Sequence, residues 1–170
     1  RVGSGQEPWA AAWDSLRSGR EASLDFTPEP FAHVVGGPYG KPSIGDRQLS
    51  SSSRAAYSQA LQWAITGDQA HADKAIEILN AWSSVLWTFQ DNDAKLLAAW
   101  TGDDFCNAAE ILRYTSAGWQ EADIEQFERM LRNVYYPLLV DFFPEANGNW
   151  DGAIINTMLC MAIFLDDRAM

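Results

Sequence analysis

Asn147, Asn149, Trp150 and Asp151 lie within five consecutive residues and carry the side chains that a polar-ligand site needs. Two amides can donate hydrogen bonds without bearing charge. In a low-dielectric cleft such donors stabilise negative charge that develops during a reaction, because they are already oriented when it appears. An indole beside them can stack on the flat apolar face of a sugar ring. Asp151 has two readings. It is a candidate acid or base of a glycosidase-like pair, or it caps the helix that follows, where an Asp accepting from the first free N–H groups contributes about 1 kcal/mol.

Other groups carry less chemistry. Asp103-Asp104 and Asp166-Asp167 are adjacent carboxylates, and neighbours on a helix do not point at one target. Both pairs read as solvated carboxylates near helix ends. Cys106 and Cys160 fall in apolar, helix-like stretches and are too few for a disulfide framework, so they read as buried thiols. His33 and His71 stand alone, and no spacing matches a metal-ligand motif. No cofactor and no metal is expected.

The elements that position these residues are helical. Ala153 to Leu165 is apolar almost all round, and a helix of that kind is buried, so the amide cluster sits where a loop enters a core. Glu7 to Ser18 is a short amphipathic helix with Pro8 in its first turn. Ser51 to Ile65 and Gln69 to Trp87 form a hairpin around Thr66-Gly67-Asp68. Asp91 to Trp100 and Asp103 to Thr115 read as a second pair around Thr101-Gly102. Glu121 to Phe143 is a longer helix that Pro137 should kink. Trp63, Trp82 and Trp100 fall within apolar stripes and read as core. From Gly19 to Ser50, prolines and glycines leave no period of either kind, so this stretch is a functional loop or, more simply, an arm wrapped over the surface. Strand alternation is missing, and an all-α fold of helical hairpins follows.

Composition bounds the function. The 170 residues are 47% hydrophobic, enough for one domain with a core. A formal net charge of -11 and a pI near 4.4 argue against a nucleic-acid partner. The same charge repels an acidic polysaccharide at long range, so such a ligand requires a locally positive or amide-lined cleft. No stretch is long and apolar enough for a membrane span, and no membrane partner is expected. The apolar last helix leads to the expectation that residues 1–170 are the N-terminal part of a larger toroid domain, truncated or cleaved after Met170. The remaining C-terminal part would then be a partner, in the same protein or as a second chain.

Several segments carry a family resemblance. Ala55-Ala56-Tyr57, Leu61 to Asp68, Ala75 to Ser83, Asn107 to Tyr114, Asn149-Trp150-Asp151 and Phe164 to Ala169 occur in an order that resembles the alginate-lyase-like superfamily. The likeness is strongest to the branch of polysaccharide lyases acting on glucuronan or alginate. It implies an incomplete (α/α) toroid and β-elimination on a uronate polymer, secreted or periplasmic. By that resemblance Asn149 is the catalytic candidate that neutralises the uronate carboxylate, with Asn147 and Trp150 binding substrate. The resemblance places the family's base and acid downstream of this chain. Two other classes stay open: a non-catalytic, lectin-like sugar-binding protein, and a glycoside hydrolase on an (α/α) toroid.

Overall fold

The computed structural model describes residues 1–143 and 148–170. Its architecture is two layers of antiparallel helices, with a small sheet at one end.

The first hairpin forms as its turn chemistry requires. Helix α1 (Trp9–Ser18) lies at the periphery, where Trp13 and Leu16 are half-buried and no residue is fully buried. Beyond it, strand β1 (His33–Gly36) pairs antiparallel with β2 (Ser43–Ile44). Helix α2 (Asp46–Thr66) stops at Gly67, whose φ of 70° is left-handed backbone that glycine adopts without a Cβ penalty. Asp68 then caps α3 (Gln69–Val85) by accepting from the Ala70 N–H at 3.1 Å.

A third strand, β3 (Thr88–Gln90), runs parallel to β1, giving the order β2-β1-β3. These strands span four, two and three residues. That is too short for a period of two to register, so the helical fold class stands while the reading of no strands is corrected.

Helix α4 (Ala94–Arg113) is continuous through Thr101-Gly102, where a turn was expected. Gly102 is there for space: a Cβ on it would stand 2.5 Å from the Thr157 methyl. Helix α5 (Glu121–Met130) runs into a π-helical turn, Leu131–Tyr135, and then the short α6 (Tyr136–Leu139). Pro137 lies just past that turn. Lacking an N–H and crowding the preceding carbonyl, it breaks the regular ladder there, as expected. Helix α7 (Asn149–Phe164) closes the order.

Cross-helix bonds fix the directions. Ser53 and Trp63 of α2 bond Asp104 within α4 and Thr115 just past its C-terminus. Asn156 bonds Asp103, and Phe164 O accepts from Arg113. Helices α2, α4 and α7 are therefore parallel neighbours. Asn80 and Gln126 link α3 to α5 in the outer layer, which runs antiparallel to α4: Arg113 meets Glu128 while Lys95 meets Asp141. This alternation of inner and outer helices is that of an (α/α) toroid segment.

The core lies between the layers. Phe127 is fully buried and meets Phe164 edge-on at 5.5 Å and Trp119 at 5.7 Å, a geometry that aligns ring edge with ring face.

Two buried glutamines hold the segment after α1. The Gln59 amide donates to the Glu21 and Ser23 carbonyls at 3.2 and 3.0 Å, and Gln62 to Ala22 O at 3.1 Å. The arm reading is correct there.

Helix α7 is buried along Ile154, Thr157, Met158, Met161 and Phe164. Its column of Ile155, Leu159 and Ile163 is open, 48 to 63% exposed. The expectation that this helix is buried all round therefore fails on one side, because α7 is the edge of the inner layer.

Candidate functional site

The N-terminus of α7 begins at Gly148, whose φ of 121° and lack of a side chain make it the cap residue. Neither Asn149 nor Asp151 is a cap. They occupy the first and third helical positions, and the first intrahelical bond runs from Gly152 N to Gly148 O. The N–H groups of residues 149 to 151 are thus free of helical acceptors. Asn149 is exposed, and no hydrogen bond to a described residue engages its amide. Trp150 is half-buried and stacks on Phe143, centroids 4.8 Å apart, so one face of the indole is taken by protein. Asp151 keeps one carboxylate oxygen buried and without a partner among the described residues. Asn147 lies outside the described residues.

Lys95 secures the approach to this helix. Its ammonium donates to Asp141 Oδ1 at 2.5 Å and to Phe142 O at 2.6 Å, and lies 5.9 Å from the Phe143 ring centroid. Lys95 therefore fixes the chain that delivers Phe143 to Trp150.

A second polar group lies deeper on the inner layer. Asn149 and Asn156 are two turns apart on one face of α7, about 10 Å along the axis. Asn156 donates to Asp103 Oδ2 at 2.7 Å, and the Cys160 thiol faces Asn107 Oδ1 at 3.9 Å. Residues 100, 103, 104 and 107 share one stripe of α4 by helical periodicity. Trp100 on that stripe is 54% exposed, so its assignment to the core is corrected: the stripe faces the open side. On α2, Ser53 donates to Asp104 Oδ2 at 3.3 Å.

Burial raises Asp104 to about 6, assisted by the negative charge of Asp103, and the Ser53 bond offsets only part of this. Burial also raises Asp103. Tyr57 is raised by burial and then by Asp104, which keeps its phenol protonated at neutral pH. The helix-end reading of Asp103-Asp104 is therefore wrong: both sit mid-helix in a half-buried cluster. Asp166-Asp167 follows α7, and Asp167 is tied to Arg132 at 3.0 Å, a structural role. The signal for the deeper cluster was the i, i+4 spacing of Asp103 with Asn107 and of Asn156 with Cys160. The presumed turn at Gly102 hid it.

Electrostatics favour one end of the layer. Helices α2, α4 and α7 are parallel, so their N-termini lie at the same end, and no N-cap side chain bonds any of the three. Each contributes roughly half a positive charge there. Asp46, Asp93 and Asp151 stand at the same three helix starts, so it is the free N–H groups of α7, rather than net charge, that can receive an anion there. Cys106 and Cys160 are free thiols, and among the described residues no group of His, Cys, Asp and Glu has the geometry of a metal site.

A family profile for alginate lyase matches residues 45–170. The chain belongs to the alginate lyase family. The match begins at the cap of α2 and takes in the whole inner layer, so the polar cluster and the α7 rim belong to the shared part. Membership makes this a polysaccharide lyase fold whose substrate class is acidic polysaccharide. No curated protein and no solved structure matches the chain.

Proposed function

We propose that this protein cleaves a uronate-containing polymer, glucuronan or alginate, by β-elimination outside the cytoplasm or in the periplasm. Asn149 and the free N–H groups at the start of α7 hold the uronate carboxylate. Charge drawn onto that carboxylate makes the C5 proton acidic. A base removes it, the C4–O bond breaks, and the leaving oxygen takes a proton, giving one C4=C5 unsaturated end and one hydroxyl end. Preorganised donors at the site of developing charge are the main source of rate.

The observation that carries this reading is the α7 rim in a family of lyases: a helix N-terminus without a side-chain cap bond, bearing an exposed amide that no described residue engages. Trp150 follows Asn149 at this helix start, packed on Phe143, and the Asp103–Asn156 group lies where a polymer laid along α7 would continue.

Asn149→Ala tests it. Loss of one such donor costs about a hundredfold in rate, while Tm should hold, because Asn149 is exposed and caps nothing. Product is followed by the absorbance of the unsaturated uronate. A wild-type protein that releases no unsaturated sugar from glucuronan or alginate, yet retains the polymer on a column, would make this a binding protein instead.

A further inference from the structure

A cleft of about 510 Å³ opens between the arm at Arg20–Glu29 and the first turns of α2. It lies at the same end of the inner layer as the α7 rim, two helices away. At 8–10 Å between packed helices, that is up to about 20 Å.

Three arginines line it: Arg20, Arg47 and Arg54. Arg54 is engaged with Glu21 at 3.7 Å. Arg20 and Arg47 form no ion pair among the described residues, whereas seven other cations do. In a chain of net charge -11, a lining whose three arginines balance Glu21, Glu29 and Asp46 is locally neutral, and two of its guanidinium groups form no ion pair among the described residues. Acidic residues also line the cleft, but Asp46 is already occupied, accepting from Ser43 Oγ at 2.5 Å and from the Arg47 N–H at 2.8 Å.

Ser52 adds an independent observation. It forms part of the cleft wall, is 1% exposed, and its hydroxyl has no hydrogen-bond partner among the described residues. An unmade bond at a buried hydroxyl costs about 1–3 kcal/mol, and a ligand oxygen would relieve it. Phe26 supplies an apolar wall of the kind sugar rings rest on.

We infer that this cleft is a distal subsite for a carboxylated sugar unit, in which Arg20 and Arg47 pair with the carboxylate and Ser52 hydrogen-bonds a ring substituent. It rests on the reading of the substrate as a uronate polymer and extends it, since one strand could then occupy both the α7 rim and the cleft. A guanidinium fork matches a carboxylate bidentately, which a lysine cannot do.

Titration calorimetry of the intact protein with alginate and glucuronan oligosaccharides, and with a neutral glucan oligosaccharide, tests this. Arg47→Ala should weaken acidic-oligosaccharide binding roughly tenfold or more, the effect of losing a hydrogen bond between charged groups, and Arg47→Lys should recover only part of it. Ser52→Ala should also weaken binding while Tm holds or rises, because it deletes an unpartnered buried hydroxyl. A purely structural Ser52 would leave binding unchanged. Unsaturated product from wild type together with full binding by both alanine variants would overturn the subsite and leave the lyase reading intact. Variant-sensitive binding without any unsaturated product would uphold the subsite and remove the lyase reading. Absence of acidic-oligosaccharide binding by wild type would overturn both.

Discussion

Gly102 of α4 and Thr157 of α7 are in close contact: a Cβ on Gly102 would lie 2.5 Å from the Thr157 methyl and 3.2 Å from the Tyr135 ring. The Thr157 hydroxyl donates to the Ala99 carbonyl at the same crossing. This contact sets the spacing across which Asn156 reaches Asp103 and Cys160 reaches Asn107. Glycine in a helix interior costs about 1 kcal/mol relative to alanine, a cost that close approach offsets.

Gly102→Ala should therefore destabilise, although alanine is the better helix former. Overpacking costs about 1–3 kcal/mol against the ~1 kcal/mol gained in propensity. Urea unfolding should show a lower midpoint, and adding Thr157→Ser, which removes the obstructing methyl and keeps the hydroxyl, should restore most of it. A midpoint raised by Gly102→Ala alone would mean the helices can part freely.

That glycine also marks where the sequence was misleading. Gly67 and Gly102 both follow a threonine within a helical stretch. Only Gly67 ends a helix, because Asp68 follows it with a side chain that caps the next one, whereas Gly102 faces a partner 55 residues downstream. Helix periodicity and turn chemistry are local and were legible: the α2–α3 hairpin, the Pro137 break and the helical class follow from them. The sheet was not legible, since His33–Gly36 acquires strand geometry only by pairing with Thr88–Gln90 across α2 and α3. At the site, the position of Asn149 at a helix entrance was readable. The exposure of Trp100 and the burial of Asp104 depend on which helices flank α4, which local pattern does not encode.

Asp104 gives the stability a pH dependence with a defined sign. Its carboxyl titrates near 6 in the folded chain and near its ordinary value of 3.8 when unfolded. Between those values the folded state holds the extra proton, so the contribution is fully present below about pH 4, falls as pH rises towards 6, and is lost above it. Asp104→Asn keeps an acceptor for Ser53 and cannot ionise. Thermal unfolding should show the variant more stable than wild type at pH 8, with the difference shrinking at pH 4.5. A difference independent of pH would mean that Asp104 is ordinarily solvated.

Lys95 acts on the rim through the chain it holds. Lys95→Met leaves Asp141 and the Phe142 carbonyl without their shared donor and frees Phe143 to leave Trp150. Misplacement of a binding group by about an ångström can cost a hundredfold in rate, so kcat/KM on polymer should fall at least tenfold while most of the Tm is retained. The fluorescence of Trp150 should shift towards a solvated indole, measured against a Trp150→Phe control. An unshifted spectrum with unchanged kcat/KM would show that the chain before α7 holds itself in place.

Trp100 separates a sugar-binding face from an ordinary exposed side chain. It precedes Asp103 by one turn on the open stripe of α4 and is 54% exposed, so little folding energy depends on it, and Trp100→Ala should leave Tm nearly unchanged. A ring face that carries a sugar contributes about 0.5–1.5 kcal/mol beyond simple burial if it behaves as aromatic pairs do, which is a two- to tenfold loss of affinity. Trp100→Phe keeps an aromatic face and should recover part of the loss. Fluorescence quenching on titration with oligosaccharide reads the same contact in wild type, measured against Trp100→Phe as the control. Equal affinity for Trp100→Ala and wild type would place the polymer away from α4 and confine binding to the α7 rim.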